Sequence, residues 1–452
     1  MTRNSSSWLR DISCVFVFFV VQIIVVNPQR NQSKSLFPTR SIIANVVDRF
    51  LNNDSDNLIN VDFKILNTTQ LLQKWGLSSE IHQTTTEDGY ILEIHRIVPK
   101  YANSPPVLIQ HGICLASDSW VLRGKEDLAI ILHEQGYDVW LTNTRGNCYS
   151  KQHQYLNIKE EPYWDFSYHE HGLYDMPASI DHILAVTGRR SLSYIGHSMG
   201  TTMFYVMASM RPSYNQKVNL HIGLAPVAYS SRMKSVETVF KPFGQNVKWY
   251  EKAFKRYKRY ELLERRLANP LPILCEDPLL RPLCYQISFL LLGPDIYQWP
   301  DKNIITAITA YFPAGTSFKT LYHFWQSVVS ADFKAFDHGD IENMRRFGSF
   351  FPPRYNISAI TAPIALFYST NDYLSHPTDV RLLAYQLPNL VGMYKVPFPY
   401  FNHLDYVFAR DSRSLLYDSV LCLLDSFNNK LERQCEMPTN RFNRNEKNFW
   451  RE

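Results

Sequence analysis

Cysteine is scarce in this chain, and charge of either sign is in only slight excess. Seven cysteines are spread over 452 residues, too few and too dispersed for a small disulfide-stapled fold. No Cys-x-x-Cys pair and no Cys/His ligand spacing is present, so no metal site is expected. The formal net charge is +5, with acids and bases mixed along the sequence. That is too weak and too scattered for a nucleic-acid-binding surface, and no nucleic-acid partner is expected. No internal repeat is visible, so the chain is not an array of like units.

What is present is apolar. The composition is 45% hydrophobic and 14% aromatic, ample for a large core. The length allows two or three domains, but large α/β folds often run this long as one unit. Arg3 and Arg10 precede an apolar run that starts at Cys14 and reaches Val26 with only Gln22 interrupting. Residues 1–27 therefore read as a secretory signal peptide. Val25-Val26-Asn27-Pro28 is a poor small-x-small cleavage site, so an uncleaved N-terminal membrane anchor is the alternative. Either way the chain is expected in the secretory pathway, secreted, lysosomal or signal-anchored. Asn31, Asn53, Asn67 and Asn356 each open an Asn-x-Ser/Thr sequon, which suits glycosylation in that compartment.

Residues 28–69 are polar and poorly periodic, a linker or pro-segment. The folded body is expected over 70–229, beginning near Leu71-Leu72. Two β-rich runs between Gln83 and Ile97 flank Asp88-Gly89 and predict a hairpin. Strands at Val107–Gln110, Tyr137–Leu141, Leu192–Ile195 and Leu220–Ala225 then alternate with helices at Leu128–Leu132, 175–187 and Thr201–Ala208. Such alternation predicts a mostly parallel sheet with helices on both faces. Residues 230–350 are helical in pattern, with no clear strand. The alternation resumes over 351–430, with strands at Ala365–Tyr368 and Met393–Val396. The intervening block is expected to be an inserted helical cap with a lid, lying over the carboxyl ends of the strands. Residues 431–452 read as a polar tail.

The chemistry centres on Gly196-His197-Ser198-Met199-Gly200, between an apolar strand and a helix. Strand, sharp turn and helix are the setting of a nucleophile elbow, in which flanking glycines let strand and helix approach. A serine hydroxyl needs a histidine base oriented by a carboxylate, and in α/β-hydrolases the chain order is Ser, acid, His. Asp372, just past the strand ending at Tyr368, fits the acid. His403, in the loop after Met393–Val396, fits the base. Asp405 is a rival carboxylate, better explained as capping a helix start. Two backbone donors are needed for the oxyanion: Met199, after the nucleophile, and Ile113, after Gly112. His111 and His197 are read as structural, since one base suffices.

The runs Gln110-His111-Gly112, Gly136–Asn147, Phe312–Ser317 and Asn402–Tyr406, together with the elbow, resemble the acid lipase family, which includes gastric and lysosomal acid lipases and insect relatives. The likeness is collinear from about residue 70 to 430. It implies an α/β-hydrolase core with an inserted cap, acting on neutral lipid esters at a lipid–water interface without a cofactor. It places the triad on Ser198, Asp372 and His403, the oxyanion donors on Ile113 and Met199, and a cap disulfide on Cys275 and Cys284. Two positions depart from the family pattern: Met199 stands where glutamine is usual, and Leu292 where vertebrate members have a third cap cysteine. The expected activity is ester hydrolysis through an acyl-serine. A non-catalytic lipid-binding or storage protein on the same fold, and a soluble carboxylesterase, are the alternatives. Retention of all three triad residues argues against the first, and the aromatic cap against the second.

Overall fold

The computed structural model describes residues 65–236, 241, 244, 246–257, 260–265, 272, 275–276, 278, 281–299, 302–428 and 437–438. The signal segment, Asn31, Asn53 and nearly all of the tail lie outside the described residues. Asn67 and Asn356 lie within them and are exposed.

The folded body opens with α1 (Thr68–Lys74), one turn earlier than its first apolar pair suggests. Asn67 accepts from the Gln70 N–H, and the Gln70 side chain returns to the Asn67 N–H, a reciprocal cap that nucleates the turn. The expected hairpin is β1 (Ser79–Thr85) against β2 (Tyr90–Ile97), antiparallel. Gly89 turns it with φ +94°. Then follow β3 (Pro106–Gln110), α2 (Leu128–Glu134), β4 (Asp138–Thr142), the two-residue β5 (Gln152–His153), α3 (Met176–Thr187), β6 (Leu192–His197), α4 (Met199–Met210) and β7 (Val218–Leu224).

One sheet runs β1-β2-β4-β3-β6-β7-β10-β11, with β5 beside β2. Its last strands are β10 (Ile364–Tyr368) and β11 (Leu390–Lys395), joined through α10 (Pro377–Gln386). From β4 onward all pairings are parallel. β3, β4, β6 and β10 are buried along their whole length, as strands covered on both faces must be. The pleat divides their side chains. Val107 and Ile109 pack with α2 and with Val420, Leu421 and Leu424 of the C-terminal helix, α12 (Asp418–Phe427). Leu108 turns the other way, towards Ile180 and Ile183 of α3 and Met203 and Val206 of α4. Period-two alternation in an apolar run thus becomes two cores, one on each face.

Between β7 and β10 lie α5 (Val247–Tyr257), α6 (Arg281–Leu292), α7 (Lys302–Tyr311), α8 (Phe318–Ser330) and α9 (Asp340–Phe347). The expectation of a strand-free block needs one correction. β8 (Glu261–Leu262) pairs antiparallel with β9 (Thr316–Ser317), a ladder too short to leave a period of two in the sequence. Cys275 and Cys284 are disulfide-bonded, Cα to Cα 5.6 Å. Ion pairs fasten this block to the sheet's loops, among them Arg265 to buried Asp118 at 2.7 Å and Lys151 to Glu261 at 2.7 Å. No helix among the described residues is long and apolar enough to cross a membrane. The carboxyl ends of β3, β6, β10 and β11 lead into four loops, and these carry the residues singled out above.

Candidate active site

β6 ends at His197 and α4 begins at Met199, leaving Ser198 alone at the turn with φ 53° and ψ −120°. The chain can turn that sharply only because its flanks are bare. A Cβ on Gly196 would lie 2.8 Å from the Gly200 backbone, and one on Gly200 would lie 2.7 Å from the Gln110 carbonyl oxygen. Real Cβ atoms do not come so close to backbone, so strand, helix and β3 are packed here at glycine distance.

The three expected residues meet. His403 Nε2 lies 2.8 Å from Ser198 Oγ, and His403 Nδ1 lies 2.9 Å from both carboxylate oxygens of Asp372. Ser198 is 6% exposed, His403 3% and Asp372 0%, so the chain of bonds runs in a nearly water-free place. A carboxylate accepts only, so Nδ1 carries the proton and Nε2 faces the serine hydroxyl as an acceptor. Asp372 Oδ1 also accepts from the N–H groups of Leu374 and Ser375, at 2.9 and 2.8 Å. The Asx turn and the histidine partner are therefore one and the same carboxylate.

Ile113 follows Gly112 in the loop after β3, and Met199 directly follows the serine. A Cβ on Gly112 would be 3.1 Å from the Ser198 Cβ, so the loop after β3 lies directly against the elbow. Met199 is the first residue of α4, where a backbone N–H has no acceptor inside the helix and the partial charge is positive.

The two other histidines are structural but not idle. His111 Nδ1 donates to the Gly112 carbonyl at 2.7 Å and its Nε2 accepts from the Thr144 N–H at 3.3 Å. Burial depresses its pKa to about 4, against the pull of the Gly112 carbonyl. His197 Nε2 donates to the backbone carbonyl of His403 at 2.9 Å. Burial, and then the facing His403, lower its pKa to about 3. Both rings are neutral, and each braces a loop of the site. The unbonded thiols of Cys114 and Cys148 are pushed up to about 12 by burial, so neither supplies a thiolate nucleophile.

Asp405 corrects the sequence reading. It is the first residue of α11 (Asp405–Phe408), behind Leu404 as N-cap. Its carboxylate accepts from the Asn402 N–H at 2.5 Å, across the loop that holds His403. Sequence reasoning also missed the segment after α6. The Leu292 carbonyl accepts from the backbone N–H groups of both His403 and Tyr373, each at 3.3 Å. The one local signal was Gly293-Pro294 at a helix end, which marks a stop and says nothing of what lies beside it. Among the described residues no group of three or more His, Cys, Asp or Glu is placed to hold a metal ion.

Residues 68–124 match the family described as the partial alpha/beta-hydrolase lipase region, and residues 105–263 match the alpha/beta hydrolase fold family. Lipase 1 of Drosophila melanogaster is 39% identical over 361 residues, covering 79% of this chain and 80% of that protein. Human gastric triacylglycerol lipase is 33% identical, covering 79% of this chain and 91% of that protein. Lipase 3 of Drosophila melanogaster is 38% identical, covering 78% and 91%. A crystallised protein from Sulfolobus solfataricus superposes with a TM-score of 0.52 at 14% identity over 77% of this chain and 94% of its own, a likeness of fold.

Proposed function

The chain belongs to the acid lipase family of α/β-hydrolases and is a carboxylic ester hydrolase of the lipase type; from that premise we propose that it cleaves neutral lipid esters through an acyl intermediate on Ser198. The observation that carries the reading is the unbroken bond chain from Ser198 Oγ through His403 to Asp372, closed at hydrogen-bond distance and buried. Ser198 Oγ attacks the ester carbonyl while His403 Nε2 takes its proton. Asp372 holds the imidazole in the required tautomer and stabilises the imidazolium that forms. The N–H groups of Ile113 and Met199 receive the oxyanion. His403 then protonates the departing alcohol, and a water activated by the same nitrogen releases the acid.

Only the Met199 backbone is used in this scheme, since its side chain is packed among the apolar residues behind the elbow. Met199→Gln is therefore expected to keep kcat/KM within about tenfold of the native protein. A loss as large as that caused by removing the nucleophile hydroxyl would mean that the methionine side chain itself takes part.

The helical block over 230–350 is read as the cap. Its aromatic and aliphatic surface would offer an acyl chain about 0.8 kcal/mol per buried methylene, which favours long-chain esters at a lipid–water interface. Within this block Arg265 pairs with Asp118, and the Leu292 carbonyl accepts from the His403 and Tyr373 N–H groups. The apolar N-terminal run and the exposed sequons at Asn67 and Asn356 support passage through the secretory pathway.

The test is the purified full chain against emulsified triacylglycerol, emulsified steryl ester and a short water-soluble ester across pH. Turnover of at least one long-chain lipid ester is expected. Folded protein that hydrolyses only the short ester would make it a soluble carboxylesterase, and folded protein that hydrolyses none would end the enzymatic reading.

A further inference from the structure

α6 does not simply end beside the active site. Three successive carbonyls, from 292 to 294, each receive hydrogen bonds from residues at or next to Asp372 and His403. The Leu292 oxygen takes the His403 and Tyr373 N–H groups at 3.3 Å. The Gly293 oxygen takes the Asn402 amide at 3.2 Å, and the Pro294 oxygen takes the Asn371 amide at 3.0 Å. Gly293 has φ +108°, and a Cβ there would lie 2.0 Å from the Asn371 carbonyl oxygen. The strand–helix core thus does not hold the acid and base loops unaided; a strap from the helical insert is laid across both.

The strap is fastened at its far end by two carboxyl groups. Asp295 is 1% exposed and Asp405 0%. Asp295 Oδ1 accepts from the N–H groups of Tyr297 and Gln298 at 2.8 and 3.1 Å. Asp405 Oδ2 accepts from the Asn402 N–H at 2.5 Å. The remaining oxygens, Asp295 Oδ2 and Asp405 Oδ1, are buried without any donor at hydrogen-bond geometry, and the two carboxyls face one another in that buried space. Two acceptors can bond only if a proton lies between them.

We propose that residues 291–299 are a positioning strap for His403 and Asp372, locked by one proton shared between Asp295 and Asp405. The proposal rests on His403 being the base.

The surroundings leave the proton as the fastener. Arg410 faces Asp295, but its exposed guanidinium is committed to Asp411 at 2.7 Å. Asp411 also accepts from the Gln298 amide at 3.2 Å. The Trp299 indole N–H, buried and without an acceptor at full hydrogen-bond geometry, faces Asp405. His403 and Asp372 face one another, and the Tyr406 hydroxyl is held protonated by burial. Burial raises both carboxyls, opposed for Asp295 first by Asp405 and then by the Tyr297 and Gln298 N–H groups, and reinforced by its partner for Asp405, which stands well above its ordinary value. A pKa raised by folding contributes stability that is full below the ordinary carboxyl range and lost as pH rises through the raised value. The lock therefore opens on the alkaline side.

Asp295→Asn is the discriminating variant. Its Oδ1 keeps the two backbone bonds, and an amide N–H takes the place of the shared proton at every pH. In the native protein, thermal stability and kcat on a short water-soluble ester are expected to fall together on the alkaline side. In Asp295→Asn that fall should vanish or move to higher pH with KM unchanged. Asp295→Ala, which restores no bond, should lower kcat about tenfold or more at every pH. Superimposable pH profiles for the native protein and Asp295→Asn would overturn the proposal. Should Asp295→Asn fail to fold, infrared difference spectra of the native protein decide the matter. A buried protonated carboxyl band that disappears on alkaline titration is expected, and its absence refutes the lock. Native protein that shows the stability profile but hydrolyses no ester would refute the enzymatic reading alone.

Discussion

Ser198→Ala is expected to lower ester turnover by on the order of 10⁴-fold or more while the protein stays folded. The size follows from what the hydroxyl does. It is the atom that bonds the acyl group, and among the described residues its side-chain partner is His403 Nε2. Without it the remaining donors can polarise an ester but cannot form the intermediate. The fold should survive because the turn is held by other atoms. The Ser198 N–H donates to the Leu224 carbonyl at 3.0 Å, and its own carbonyl accepts from Thr201. Alanine meets the same positive φ that serine already tolerates, and the cavity left by one oxygen is small. A serine-directed phosphonate should label Ser198 in the native protein and nothing in the variant. Full activity in the variant would remove Ser198 from the mechanism, whatever the geometry around it.

The largest effect on stability is expected from Arg145→Met, at about 3–5 kcal/mol of lost unfolding free energy. Arg145 is 1% exposed. Its Nε donates to Asp175 at 2.7 Å, its fork grips Asp88 at 2.5 and 2.8 Å, and its guanidinium lies 3.9 Å over the Tyr90 ring. One side chain thus joins the loop after β4, the hairpin turn and the bend that leads into α3. Methionine fills much of the volume but leaves Asp175, fully buried, with the His171 ring and the backbone N–H of residue 145 and without its guanidinium. A buried carboxylate stripped of its permanent counter-charge is the expensive outcome, rather than the loss of attraction itself. Arg145→Lys should recover only part of the loss, because an ammonium cannot reproduce the two-pronged contact. Chemical denaturation at neutral pH measures both, and a change below about 1 kcal/mol for Arg145→Met would contradict the account. The pH dependence has the opposite sense to that of the strap. Burial pushes the Asp88 carboxyl up, but the Arg145 bonds more than reverse it and leave the pKa below its ordinary value. The stability from this pair is present above the ordinary carboxyl range and is lost as acid protonates Asp88. The cluster around Arg145 thus sets an acid limit, and the Asp295–Asp405 proton an alkaline one.

Local chemistry made much of this legible in the sequence alone. Apolar runs flanked by turn residues gave β7 and β11 to within two or three residues of their ends and β3, β4, β6 and β10 to within one or two, because a strand buried on both faces has no polar side to blur it. Asp88-Gly89 gave the hairpin, and the glycine spacing of 196–200 gave the elbow, since both depend on backbone conformations that few residues allow. Chain order then sufficed to choose Asp372 and His403. What the sequence could not supply were contacts whose partners are far apart and whose local signal is ordinary. β8 and β9 are two residues each. His197 looks like any elbow residue until its ring is found on the His403 carbonyl, 206 positions away. Asp405 reads as a helix-start residue because capping is a local role, whereas its partner Asp295 lies on another segment of the fold. The Leu292 carbonyl belongs to the backbone and has no residue type to betray it. A sequence determines the bonds a residue can make. Packing decides which of them are made, by bringing two distant segments into a dry space where an unpaired polar atom is too costly to leave.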